Sequence, residues 1–248
     1  MRFLTLFLLC HVFPFYLHAL ESGKTSGFSF NTHVVNRRVW RGREYGGNFP
    51  HVQPSIEYSF GNAGLAVGAF ASHAIHPSSI GEGADFYISC VPWDSVVMTF
   101  VDYYFLSDGV GNNFFNYSRN ETKHIIEGMI RYNGTENFPA TLLFAMNVHG
   151  ADGTRPNGDP YYAKYLEAGY PISFTAVDIR IFLGAALDNP EREDGWVGYY
   201  GGSGGVINLG FTLSRKIKIS ETYSIPVNSS LIHNPETKKV YLVFCLSF

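Results

Sequence analysis

The sequence predicts an all-β chain that closes on itself as an antiparallel transmembrane β-barrel of about twelve strands. Three observations carry this. The chain ends on Val240, Leu242, Phe244, Leu246 and Phe248, alternating with Lys239, Tyr241, Val243, Cys245 and Ser247, the period of a strand with one apolar face. The same alternation recurs from residue 27 onward, with no helix-period stretch. The connections are by turns short and long, as in barrels with short periplasmic turns and long extracellular loops. The terminal segment alone would also fit the last core strand of a soluble sandwich. A sandwich gives no reason for the alternating connection lengths.

Composition agrees. Aromatic residues make up 16% and charged residues only 16%, with 26 Gly, 21 Phe and 16 Tyr, a mixture suited to strands, aromatic girdles and tight turns. Mean hydropathy is −0.01. That excludes a helical membrane bundle but not a barrel, whose strands average lipid-facing and lumen-facing positions. Net charge is −3 with no basic cluster, so nothing points to nucleic acid.

Residues 1–19 are expected to be a signal peptide, and 20–248 one outer-membrane barrel domain. Arg2 gives a positive start, Phe3 to Leu17 an apolar core broken by Pro14, and Leu17-His18-Ala19 a cleavage site. Cys10 follows Leu9, where a lipoprotein site would want a small residue. Cys90 and Cys245 then remain, on strands far apart in order, and are read as small hydrophobes rather than a bridge or a metal pair. No other apolar run is long enough for a spanning helix. No plug-like N-terminal extension or internal domain break is seen.

The strands follow in order. Segment 26–40 sets Phe28, Phe30, Thr32 and Val34 on one face. Segment 52–60 alternates Val52, Pro54, Ile56, Tyr58 and Phe60 with Gln53, Ser55, Glu57 and Ser59. Leu65, Val67, Ala69 and Ala71 share the next face, and segment 84–91 follows. In 95–105, Val97, Thr99, Val101, Tyr103 and Phe105 are taken as the lipid face, opposite Met98, Phe100, Asp102 and Tyr104. Segment 122–132 opposes Ile126, Ile130 and Tyr132 to Glu127 and Arg131; 140–148 opposes Leu142, Phe144, Met146 and Val148 to Thr141 and Asn147. The Tyr-rich segment 160–170 has no clear phase. Segment 173–185 opposes Val177, Ile179, Ile181 and Leu183 to Asp178 and Arg180; 205–214 opposes Ile207, Leu209, Phe211 and Leu213 to Asn208, Thr212 and Ser214. The last two are 219–230 and 239–248. The gaps 41–50, 74–82, 106–121, 149–159, 186–204 and 231–238 are read as long loops. Those at 61–63, 92–94, 171–172 and 215–218 are read as short turns, and 133–138 as a connection of medium length. Closure follows from physics: an open edge in lipid leaves amides unpaired at several kcal/mol each.

The face opposite the lipid would carry Gln53, Glu57, Asp102, Glu127, Arg131, Asn147, Asp178, Arg180, Asn208 and Lys239 as lumen-lining candidates. Charges of both signs alternate there. They either tune passage through a hydrated pore or pair across a narrow lumen and block it. Asp178 and Arg180, two apart on one face, are the best candidates for such a pair. Trp40, Trp93, Tyr103, Tyr104, Tyr132, Phe138, Tyr170, Tyr199 and Tyr200, near strand ends, are expected at the two membrane interfaces.

Catalytic patterns are thin. His76-Pro77-Ser78 has a His-x-Ser spacing but falls in a loop, where the two need not share a face. Gly-x-Ser-x-Gly and His-Glu-x-x-His are absent. Asp152, Asn157 and Asp159 lack the spacing of a calcium loop, and the glycines at 201, 202, 204 and 205 lack the strand-to-helix context of a phosphate loop. Asn116, Asn120, Asn133 and Asn228 head Asn-x-Ser/Thr triplets without consequence in a bacterial chain. No catalytic residue, metal site or cofactor is expected.

At Val35-Asn36-Arg37-Arg38-Val39-Trp40-Arg41-Gly42, and again at Gln53-Pro54-Ser55-Ile56-Glu57-Tyr58-Ser59-Phe60, the chain resembles the TorF-like porin family of bacterial outer-membrane barrels. Asp102-Tyr103-Tyr104 and the stretch from Ile225 to Phe248 also fit. The resemblance implies an outer-membrane barrel with a pore function and supplies no catalytic residues. Arg38 and Arg41 match its arginines, although residues 36–41 break the alternation and leave their facing open. The expectation is therefore a monomeric, non-enzymatic porin for small polar solutes in the outer membrane of a Gram-negative bacterium. Its partners would be outer-membrane lipid and the barrel-assembly machinery that reads the strand ending at Phe248. The alternatives are a lipid-modifying barrel and a non-transporting barrel whose outer loops bind partners.

Overall fold

Alternating segments become strands because only paired strands can satisfy backbone amides while sending apolar side chains to one side and polar ones to the other. The computed structural model describes residues 26–76, 82–105, 113–119, 121–153, 160–188, 198–202 and 204–248. The predicted signal segment, Ser78, Asn120, Asn157 and Asp159 lie outside them. The strands are β1 (Ser26–Val35), β2 (Arg38–Trp40), β3 (Arg43–Tyr45), β4 (His51–Phe60), β5 (Leu65–Ala74), β6 (Gly83–Trp93), β7 (Val96–Phe105), β8 (His124–Tyr132), β9 (Thr141–Gly150), β10 (Lys164–Ser173), β11 (Asp178–Ala186), β12 (Gly205–Lys218), β13 (Ser224–Asn234) and β14 (Lys239–Ser247). β1 and β4 to β14 pair antiparallel with their neighbours, and β1 closes on β14, giving a closed barrel of twelve strands; β2 and β3 pair only with each other.

One rim carries the tight connections 61–64, 94–95, 133–140, 174–177 and 219–223, and the other the long ones. The last connection breaks the pattern. β13 runs to Asn234, so the expected long loop at 231–238 shrinks to the turn 235–238. Two turns also move. Pro171 and Ile172 remain in β10, opposite Arg180 and Ile179, and the turn falls at 174–177. Residues 215–218 continue β12 as far as the pair Lys218 and Ser224. Their polar composition disguised strand as turn.

The sidedness is inverted relative to a water-soluble core. On β14, Leu242, Phe244 and Leu246 are exposed on the outside while Tyr241, Val243 and Cys245 are buried within. Inside, Glu57, Glu127, Arg131, Glu167 and Arg180 are all buried. Two of the three register shifts in the barrel alter the expected faces. One lies between Ile126 and Glu127 against β9 and sets Val148 out of the alternation. The other, between Gly184 and Ala185 against β12, turns Ile207 inward, fully buried rather than on the outer face as expected.

β7 is in the opposite phase to expectation. Phe100 is exposed outside, and Val97, Thr99, Val101 and Tyr103 are buried inside. Both faces of this strand are apolar, because the inner one packs in the cluster that holds Trp40.

Candidate functional site: a hairpin folded into the barrel

The first long connection does not project from the rim. Its hairpin, β2 and β3, folds into the barrel interior. The turn is the two-residue Arg41-Gly42 at φ +49 and +73, with Trp40 opposite Arg43. Two successive left-handed residues suit the tight hairpin turn that matches strand twist. Gly42 is required twice, since a Cβ there would also overlap the Ile207 carbonyl supplied by the bulge in β12. Asn234 at the end of β13 donates to the Gly42 carbonyl at 3.0 Å and pins the tip.

Arg41 is the centre of this arrangement. It is 1% exposed, and its guanidinium forks onto the Glu127 carboxylate at 2.5 and 2.9 Å, the bidentate geometry that suits Arg. The Tyr103 hydroxyl donates to Glu127 at 2.8 Å. Tyr200, from the turn at 198–201, accepts from Arg41 and donates to Glu127 at 3.3 Å. The guanidinium lies over the rings of Trp40 and Tyr165, 4.5 and 4.6 Å from their centroids. Trp40 packs against Tyr45, Tyr103, Tyr199 and Tyr200. Arg43 donates to the Tyr199 carbonyl. Burial pushes the Tyr200 phenol well above its ordinary range, with neighbouring Arg41 pulling the other way. Two long-rim segments, the hairpin and the 198–201 turn, therefore meet inside the barrel around one buried ion pair.

A second network adjoins it. Arg180 donates to Glu167 at 2.8 Å, Tyr165 to the other carboxylate oxygen at 2.7 Å, and Asn208 to both Glu167 and the Tyr165 hydroxyl at 3.0 and 2.9 Å. Inward-phase glycines make room for it. Tyr165 lies over Gly184 and Arg180 over Gly169, in the space a Cβ would take.

Nine of the ten lumen-lining candidates are on the interior phase. Glu127 and Asn147 are fully buried, Glu57 accepts from Tyr87 at 2.9 Å, and Gln53 donates to Ser72 at 3.3 Å. Arg131, Asp178, Arg180 and Asn208 share that phase, and Lys239 sits exposed at the rim. Asp102 is the exception, following β7's reversed phase. It lies on the outer face near the long-loop rim, where its carboxylate accepts from Tyr117 at 2.8 Å and lies 2.7 Å from His124 Nδ1. The expected pair of Asp178 and Arg180 does not form. Arg180 takes Glu167 on the neighbouring strand instead, its long side chain running along β10 over Gly169, where no Cβ stands in the way.

The aromatic expectation divides. Trp93, Phe138 and Tyr170 are exposed, and Phe138 stacks with Tyr132. Tyr104, on the outer phase, packs against Phe114 of the covering loop. Trp40, Tyr103, Tyr199 and Tyr200 are not at the membrane interfaces; they belong to the interior cluster. For Trp40 the sequence signal was the break in alternation at 36–41, where it stands beside the Arg41-Gly42 turn. Elsewhere, His76 stacks on Phe49, 3.7 Å between centroids, and Asp152 accepts the Ala163 amide at 3.1 Å. A comparison with protein-family models finds no match to this chain, and one with curated proteins finds none either.

Proposed function

We propose that the protein is an outer-membrane β-barrel of the TorF-like porin kind, acting without enzymatic chemistry as a channel for small polar solutes whose resting state is closed from within. The observation that carries the reading is the inversion of sidedness: exposed Phe, Leu and Ile rows outside, buried ion pairs inside. Such an exterior is costly in water and favourable in hydrocarbon, at roughly 25 cal/mol per Å² of apolar area. A closed barrel leaves no edge for lipid to face. Outer-membrane lipid would then surround the belt.

The hairpin makes the channel conditional. With Arg41 and Glu127 joined, the long-loop half of the interior is filled by β2, β3 and the 198–201 turn. Withdrawal of the hairpin would leave a lumen lined by the mixed charges of β8 to β12. The test has two stages. Extraction that requires detergent, together with heat-modifiable gel migration, checks the membrane barrel. Planar-bilayer recording then compares the native chain with a variant in which 38–45 is replaced by a short Gly-Ser turn. Low conductance in the first and high conductance in the second are expected. No conductance in either would discard the pore and favour a non-transporting barrel with binding loops, a reading to which the filled interior also lends itself.

A further inference from the structure

The closure seam brings His33 against Cys245 and Ser247, which lie 212 and 214 residues further along the chain. His33 of β1 stands opposite Ser247 of β14. The flanking pair exchanges both backbone hydrogen bonds, Thr32 to Phe248 at 3.1 Å and Phe248 to Thr32 at 2.9 Å. His33 and Ser247 therefore form a non-hydrogen-bonded pair, the kind whose side chains approach most closely. Cys245 lies two residues along on the same inward face. The result is a triangle of donor atoms. His33 Nδ1 is 2.8 Å from Ser247 Oγ and 4.0 Å from Cys245 Sγ, and Sγ is 3.9 Å from Oγ. All three residues are buried, at 3%, 5% and 2% exposure. The other ring nitrogen, His33 Nε2, is buried without a protein partner.

We infer that this triangle is a binding site for a soft monovalent cation, Cu(I) or its surrogate Ag(I). The point equidistant from the three atoms lies about 2.1 Å from each, within the usual range of metal–nitrogen and metal–oxygen bonds and close to that of metal–sulfur. Ligand type selects the metal class. Thiolate and imidazole together favour soft or borderline ions over magnesium or calcium. Charge selects the valence. The ion displaces the thiol proton, which leaves to solvent, so one metal–sulfur bond replaces one sulfur–hydrogen bond with no change of oxidation state. A monovalent ion then makes a neutral unit with the thiolate. A divalent ion would leave a net positive charge buried, which a low-dielectric interior disfavours. The hydroxyl of Ser247 completes a three-coordinate set. Cys90 is separate, on the outward phase of β6. The site needs only the closed barrel, so a failed conductance measurement leaves it standing, and a failed metal titration leaves the channel reading untouched.

Detergent-solubilised full-length protein, titrated with Cu(I) against a chromophoric Cu(I) chelator, tests this. The native chain and Cys90→Ser are expected to withdraw one equivalent of Cu(I). Cys245→Ser, nearly isosteric, is expected to withdraw none, and His33→Gln to bind at least tenfold more weakly. Heat-modifiable migration checks that each variant folds. X-ray absorption on the Cu(I)-loaded native chain supplies a readout that no variant can confound: one sulfur neighbour with nitrogen or oxygen neighbours is expected. Retention of the equivalent by Cys245→Ser would overturn the site. So would unchanged affinity in His33→Gln, a copper without sulfur, or Zn(II) bound more tightly than Cu(I).

Discussion

Asn36 substitutes for a missing strand beside Phe244. Its backbone amide donates to the Phe244 carbonyl at 3.1 Å, while its side-chain Oδ1 accepts the Phe244 amide at 2.8 Å. Its Nδ2 then reaches the next free carbonyl, that of Leu242, at 3.2 Å. The paired register of β1 with β14 covers only His33 to Val35, because the chain turns inward at the hairpin. One asparagine therefore prolongs the seam by another rung.

Asn36→Ala is expected to weaken closure specifically. It leaves the Phe244 amide and the Leu242 carbonyl without these partners, at about 1–3 kcal/mol if they are shielded from water. The temperature at which folded migration is lost on a gel should fall. Hydrogen exchange should rise at Phe244 before it rises on β7 or β8. An unchanged exchange rate at Phe244 would mean that the side chain contributes nothing to closure.

The buried pair makes a sharper prediction. Arg41→Met removes the cation and strands the Glu127 carboxylate in the interior, which costs about 3–5 kcal/mol for a pair of this kind. The double variant Arg41→Met with Glu127→Met should recover much of the loss, since apolar replacement of both partners is often neutral. A double-mutant cycle from chemical unfolding in detergent measures the coupling. The single variant should also raise conductance in planar bilayers, because the hairpin loses its anchor. Additive effects of the two substitutions would show that the ion pair does not hold the hairpin.

Much of this architecture was legible in the sequence. The two-residue period identified the outer rows on β1, β4, β5, β11 and β14, because apolar side chains outside and polar groups inside give each such strand two chemically distinct faces. Where the interior is itself apolar, that contrast fails. Val97, Val101 and Tyr103 point inward to pack with Trp40, and they matched the expected lipid face as well as Met98 and Phe100 did. Asp102 was misassigned for the same reason. The hairpin escaped because it occupies the middle of a connection and has its own register, set by the Arg41-Gly42 turn. The cross-strand partner of Arg180 was hidden because Glu167 lies in the Tyr-rich segment, whose inward row of Tyr165, Glu167 and Gly169 emerges only once β10 is paired with β11.

The inward glycines give a paired prediction. Gly184→Ala places a methyl group where the Tyr165 hydroxyl lies, and Tyr165 is held by Glu167 and Asn208. The ring cannot move without breaking those bonds, so a loss of about 1–3 kcal/mol is expected. Gly27, with nothing within 4 Å of an added Cβ, should tolerate Ala and gain a few tenths to about 1 kcal/mol from reduced freedom of the unfolded chain. Equal unfolding midpoints for the two variants would contradict the packing of Tyr165 over Gly184.

The outer belt can be tested by the sign of a charge effect. Ile181 faces outward near the middle of β11 and is 48% exposed. In water, Arg at such a position would change stability by no more than about 0.5 kcal/mol, as at other surface sites. In a bilayer the same side chain would meet hydrocarbon at depth, and Ile181→Arg should cost about 2–4 kcal/mol. Val240 also faces outward but is the second residue of β14, at the long-loop rim. There the penalty should fall to about 0–1 kcal/mol, because a long cation can reach the headgroups. Reversible unfolding in lipid vesicles reads both values. A penalty that depends on depth requires a membrane around the belt, whereas two small and equal values would mean that these rows face water or another protein.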